Sequence, residues 1–118
     1  NFQGRYIYLD FWSSSCKRCI EEFPHFSKMS QELKNENIEF IGINILDSHD
    51  RWQKMINKNN LNGIQLIVKD NRNFLDKLGI SGIPRYILID EFGNLIDFNA
   101  KRPSDYDFKA EILKALSN

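Results

Sequence analysis

The chain has 118 residues, 42% of them hydrophobic, and its 16 basic and 16 acidic side chains cancel to a formal charge of zero. That length suits one domain with a core of its own, the charge balance gives no electrostatic reason to bind nucleic acid or an anionic membrane, and no apolar run approaches the roughly 18–20 residues of a membrane span. Two cysteines, Cys16 and Cys19, cannot build a disulfide scaffold, so they are either one redox pair or half of a metal site.

Asn1 stands where an initiator Met would be, and a single domain over residues 1–118, cut from a longer precursor, is expected. Tyr6 to Trp12 is a near-continuous apolar run of strand length, which reads as a central strand covered on both faces. Asp10 is the anomaly in it: by strand alternation it shares a face with Tyr6, Tyr8 and Trp12, where burial raises a carboxyl pKa. It reads as a proton acceptor for a thiol, or as a strand-end Asp bonded to backbone or water. Ser13-Ser14-Ser15 leads into Cys16-Lys17-Arg18-Cys19, and a helical pattern leads out, from about Cys16 to Lys34. This places two thiols at a strand–helix junction. Unpaired N–H groups at a helix N-terminus stabilise negative charge, and the thiolate is the reactive form of cysteine. Lys17 and Arg18 act in the same direction, or simply keep the helix start soluble. Cys19, Phe23, Phe26, Met29 and Leu33 form the helix's core stripe. Pro24 is expected to kink it. Glu22, nearly one turn after Cys19, is either placed to exchange protons with that thiol or is an ordinary surface Glu; Glu21 faces away.

Ile38 to Leu46 reads as a second buried strand. Asp47 and Ser48 are N-cap candidates for a helix from about His49 to Asn59, with Trp52, Met55 and Ile56 inward and Lys54 and Lys58 outward. Leu61-Asn62-Gly63 is a turn before the short strand Ile64–Val68. Asp70 and Asn71 are candidate caps for a short helix with Phe74, Leu75 and Leu78, closed by Gly79. Gly79-Ile80-Ser81-Gly82-Ile83-Pro84 reads as a loop before strands Arg85–Asp90 and Leu95–Asn99, which Asp90 to Asn94 joins as a hairpin with Gly93 at positive φ. Ser104-x-x-Asp107 has the form of a capping box opening a last helix that buries Phe108, Ile112, Leu113 and Leu116. The order β-α-β-α-β-α-β-β-α predicts an α/β fold: a central mixed sheet with helices on both faces.

Three pieces, Asp10-Phe11-Trp12 with Cys16-x-x-Cys19, then Glu22-Phe23-Pro24, then Gly82-Ile83-Pro84, are weak singly and specific in this order. On them the chain resembles the thioredoxin-fold thiol–disulfide oxidoreductases, most of all the TlpA/ResA-like reductases, over nearly its whole length. The resemblance implies a thioredoxin-like fold, protein-disulfide reductase activity through Cys16 and Cys19, and no cofactor. Asp10 matches the buried Asp of thioredoxins, though many TlpA-like sequences have Asn there, and Glu22 matches the characteristic glutamate of the ResA-like group. Pro84 matches a cis proline packed against the dithiol, and Ile83 the residue whose backbone pairs with bound substrate; TlpA-like proteins often carry Thr there. Trp12 is implied to cover one side of the site. Ser15 replaces a second Trp, leaving a flatter rim. Lys17-Arg18 replaces Gly-Pro, which predicts a couple less reducing than thioredoxin, near or above roughly −270 mV. The implied partners are a disulfide-containing protein substrate and an upstream thiol electron donor, with no nucleic acid; a monomer is expected. The implied location is the bacterial periplasm or cell envelope, although a dithiol also works in the cytoplasm.

The implied cycle is thiol–disulfide exchange through a mixed disulfide. Cys16 attacks, and Cys19, after losing a proton to Glu22 or Asp10, resolves. The rivals are thin. Zinc has Cys16, Cys19 and His25 but normally takes a fourth ligand, covalent haem needs His where Ile20 stands, and a Thr-x-x-Cys peroxidase signal is missing. A non-enzymatic thioredoxin-fold docking module within a larger envelope protein is the alternative function.

Overall fold

A computed structural model describes residues 4–69 and 71–117, leaving aside the side chains of Asn71, Arg72 and Phe74. Its elements are β1 (Tyr6–Trp12), α1 (Lys17–Glu32), β2 (Ile38–Asn44), α2 (His49–Asn59), β3 (Ile64–Ile67), α3 (Asn71–Leu78), β4 (Arg85–Ile89), β5 (Leu95–Asp97) and α4 (Phe108–Leu116). This is the expected order. The five strands form one mixed sheet, β3-β2-β1-β4-β5. β1 and β2 run parallel, as do β2 and β3, while β4 is antiparallel to both β1 and β5.

The alternation in β1 sorts the core. Tyr6 and Tyr8 point to one face, where they pack with Phe26 of α1 and Leu33 at its C-cap, Phe40, Tyr86, Leu88, and Phe108 and Ile112 of α4. Tyr8 is the hub of this layer, stacked on Tyr86 with ring centroids 5.7 Å apart and edge-on to Phe108 at 5.1 Å. Burying aromatic side chains of this size contributes about 1.5–3 kcal/mol each. Ile7, Leu9 and Phe11 point to the opposite face, with Ile41, Ile43 and Ile87 and with Leu75 and Leu78 of α3. At the carboxyl end of β1 a third cluster joins Trp12, Cys19, Phe23 and Met55, with Trp52 and Ile56 of α2 against it. Central β1 therefore delivers the cysteines to a covered end of the sheet.

Several boundaries differ from expectation for identifiable reasons. β2 ends at Asn44, not Leu46. The buried Asn44 side chain accepts from the N–H groups of Leu46 (3.2 Å) and Asp47 (2.9 Å), which turns the chain out of the sheet and leaves Leu46 exposed. α2 has the expected bounds, and its cap is Ser48, whose Oγ accepts from Arg51 N–H at 3.2 Å. α4 begins at Phe108, after a run of turns, because the Ser104 hydroxyl is engaged elsewhere. Leu113 is exposed, and Ala115 packs in its place. β3 stops at Ile67, β4 at Ile89 and β5 at Asp97, each slightly short of the expected strand. α1 continues through Pro24, which lies inside it. The expected cap Asp70 and the Phe74 side chain fall outside the described residues. Gly63, at φ +79°, has Phe40 O 2.7 Å from where a Cβ would stand, so the turn into β3 requires glycine.

Candidate active site: the dithiol at the start of helix α1

Cys16 is the N-cap of α1, in extended backbone geometry, and its Sγ accepts from the Cys19 N–H at 3.2 Å. The two cysteines form a disulfide, with Cα atoms 5.3 Å apart. Cys16 is half-buried and Cys19 wholly buried. This asymmetry leaves Cys16 open to an incoming group and Cys19 covered beneath it. No carboxylate stands in the first turn of α1, whereas Lys17 and Arg18 do. Cations there oppose the helix macrodipole and become favourable when a thiolate sits at the cap.

Of the expected residues, Trp12 and Ile83 pack in one cluster with the two cysteines. Cys19 Sγ lies 3.9 Å from the backbone carbonyl oxygen of Phe11, the residue that follows Asp10 in β1. Asp10 is buried, and its Oδ1 has no hydrogen-bond partner. Burial first, and the charge of Glu22 second, push its carboxyl up to about 8. Glu22 is also buried, so its reading as a surface side chain fails. Both of its oxygens are engaged: Ser104 donates its N–H to Oε1 at 3.0 Å and its hydroxyl to Oε2 at 2.6 Å. Glu21 is exposed, as expected.

Trp12 is 1% exposed. Its ring meets Phe23 edge-on at 5.0 Å, and its indole N–H donates to Gln65 Oε1 at 3.3 Å. It therefore backs the cysteines from within and does not form an open wall. The Ile83–Pro84 bond is cis. Ile83 packs against the dithiol cluster on one side and the α3-side cluster on the other. Beyond Pro84, a cavity of about 410 Å³ opens between Arg18, Tyr86 and the 99–105 segment. His25, the third ligand of the zinc alternative, is exposed. Among the described residues no group of three or more His, Cys, Asp or Glu side chains is arranged to hold a metal ion.

Two parts of the site were not read from sequence. Asp47, taken as a helix cap, instead accepts from Ser14 N–H (2.8 Å), Ser14 Oγ (2.6 Å) and Asn44 Nδ2 (2.6 Å), pinning the serine run that leads to Cys16. Burial opposes its ionisation, but the bonds from Asn44 and Ser14, with Arg51 nearby, hold its carboxyl below the ordinary range. The available signal was Asn44 itself, a polar residue inside an apolar strand. Ser104 was the other, concealed by its fit to a capping box.

The model of the thioredoxin-like family matches residues 4–95. The chain belongs to the thioredoxin-like family. Within that family, it is 29% identical over 94 residues to the thiol-disulfide oxidoreductase ResA of Halalkalibacterium halodurans, covering 80% of this chain and 53% of the relative. The chain thus spans about half the length of the curated relatives it matches. Among solved thioredoxin-like structures, a protein from Bacteroides vulgatus named as a thiol-disulfide oxidoreductase superimposes with a TM-score of 0.88 at 34% identity, over 98% of this chain and 76% of that one. A Chlorobium tepidum protein named as the thiol:disulfide interchange protein DsbE gives 0.84 at 25% identity, over 98% and 82%. The fold and the ResA likeness expected from the motifs agree with these findings. Among the described residues no helix is long and apolar enough to cross a membrane.

Proposed function

We propose that this domain is a thiol–disulfide oxidoreductase that reduces protein disulfides through Cys16 and Cys19. The observation that carries the reading is the pair itself: a half-buried sulfur capping α1, bonded to a wholly buried one three residues on. In the reduced form the Cys16 thiolate attacks a substrate disulfide. A Cys16–substrate S–S bond forms, the substrate's own S–S bond breaks, and one substrate sulfur leaves and takes a proton. Cys19 then gives up its proton and attacks Cys16 Sγ. The Cys16–Cys19 bond forms and the second substrate sulfur leaves, so two electrons pass to substrate. A dithiol donor restores the pair by the reverse steps. Asp10, with one oxygen unpartnered, is the favoured acceptor of the Cys19 proton over Glu22, whose oxygens are both held by Ser104. General-base help of this kind contributes roughly 10²–10⁴-fold. Ile83 and Pro84 form the edge against which the substrate segment lies, with Trp12 supporting from below.

The test is the equilibrium reduction potential of Cys16–Cys19 against glutathione, with Cys19→Ser as the control. A two-electron couple below roughly −230 mV supports a reductase, one above roughly −180 mV points to an oxidase or isomerase, and no reversible couple sinks the reading. Cys19→Ser is expected to accumulate a Cys16–substrate mixed disulfide. The bacterial cell envelope is the proposed location, supported by the ResA likeness. Labelling of the dithiol in intact cells by a membrane-impermeant alkylating reagent tests it.

A further inference from the structure

We infer that Ser104 is a positioning residue of the redox centre: it fastens the Glu22 carboxylate beside Asp10 and thereby governs how Asp10 takes up and returns the Cys19 proton. The inference rests on the dithiol reading above. Its basis is that Ser104 reaches Glu22 from 82 residues away with two donors, one backbone and one hydroxyl. A carboxylate held at both oxygens does not swing out to solvent, so its charge stays fixed inside the site.

The segment carrying Ser104 is itself tied down. Ala100 N–H donates to Tyr86 O at 2.9 Å, and Tyr8 Oη donates to Lys101 O at 2.6 Å. Lys101 Nζ pairs with Asp107 at 2.6 Å, Pro103 is buried, and Phe108 N–H closes a turn on Asp105 O at 3.0 Å. Ser104, itself exposed, thus sits in a segment tied to β4 through Tyr86 and to β1 through Tyr8. The other titratable groups around Asp10 are Tyr8 on its own strand and Tyr86 across in β4, while the β2 residue opposite it is Gly42 and Cys19 Sγ lies 3.9 Å from the carbonyl oxygen of the next residue, Phe11. Asp105 and Arg102 act on Tyr86 from the same segment as Ser104. Of the two buried carboxyl groups, Glu22 is the one held at both oxygens by a distant segment, while Asp10 Oδ1 has no partner. Burial and the Glu22 charge together hold Asp10 near the pH at which it exchanges protons in neutral solution.

The experiment follows the Asp10 carboxyl through a pH titration by carbon-13 NMR in the full chain, without substrate. Losing the Ser104 hydroxyl lets Glu22 move off, so in Ser104→Ala the Asp10 midpoint is expected to fall by roughly half a pH unit, a roughly threefold change in proton affinity. Ser104→Gly, which like Ser104→Ala keeps the N–H and removes the hydroxyl, is expected to match it. Ser104→Thr is expected to restore the wild-type midpoint, and Glu22→Gln to lower it further. An unmoved midpoint in both Ser104→Ala and Ser104→Gly overturns the inference. So does an equal displacement in Ser104→Thr, which marks disturbed packing and not a lost hydroxyl. If wild-type protein exchanges no disulfide while these shifts appear, the exchange reading fails and the coupling stands; if exchange is intact and the shifts are missing, the coupling fails.

Discussion

Ser14 gives both its backbone N–H and its hydroxyl to the Asp47 carboxylate, at 2.8 and 2.6 Å, across 33 residues of sequence. Ser104 does the same for Glu22. Two serine–carboxylate clamps therefore flank the dithiol. One fixes the loop that enters α1, and the other fixes a side chain one turn inside it. In each, a pair of charge-assisted bonds holds a loop that has little apolar surface to bury.

Asp47→Ala is expected to free the serine run and loosen Cys16. Its cost is about 2 kcal/mol, since bonds to charged groups contribute about 1.5–3 kcal/mol and this one is partly exposed. The Asp47 carboxyl is depressed in the fold. Its contribution is thus present above the ordinary carboxylate range and disappears as pH falls through the folded value. Chemical denaturation at pH 7 and again in acid checks both parts: the difference between wild type and variant should shrink in acid.

Asp10 behaves oppositely. With its carboxyl raised to about 8 in the fold from an ordinary 3.8, the native state binds more protons than the unfolded chain between those values. Stability therefore falls as pH rises across that window. Asp10→Asn is expected to stabilise the oxidised protein by a few kcal/mol at pH 8 and above, with the gain vanishing toward pH 4. The same variant is expected to slow resolution of the mixed disulfide by roughly 10²-fold. Thermal melts across pH and single-turnover kinetics provide the two readings, and a variant that gains stability without losing rate would remove Asp10 from the mechanism.

Lys17 and Arg18 stand at the positive end of α1 with no carboxylate in that turn. Replacing both with Ala removes stabilisation of the Cys16 thiolate, and hence of the reduced form. At about 0.3–1 kcal/mol per charge near a helix end, and about 30 mV per 1.4 kcal/mol for a two-electron couple, the potential is expected to become more negative by roughly 15–40 mV. Redox equilibration with glutathione measures it, and the shift should shrink in high salt.

Gly42 lies opposite Asp10 in β2, and a Cβ there would collide with the Gln65 carboxamide that receives the Trp12 indole N–H. Gln65 is a flexible, half-buried side chain, so Gly42→Ala is expected to cost only about 1 kcal/mol. It should nonetheless break the Trp12 bond, visible as a displaced indole N–H resonance. An unmoved resonance would show that Gln65 does not hold Trp12.

The local pattern of the chain was enough for the element order, the mixed sheet, the placement of Cys16 at a helix start and the burial of Asp10. These follow from short-range rules: alternation in β1, helical spacing from Cys19 to Leu33, and glycine or proline where the backbone turns. What only the tertiary structure decided were the partners of polar groups. Asp47 and Ser104 both fit the local form of a helix cap, and each instead bonds a residue 33 or 82 positions away. A cap residue is satisfied by donors two or three residues on, which sequence displays. A clamp is satisfied by whatever the fold brings alongside, and no local pattern records that. The same holds for Trp12, whose type is legible in the strand but whose enclosure by Phe23, Met55 and Gln65 needs α1, α2 and β3 folded onto one end of the sheet.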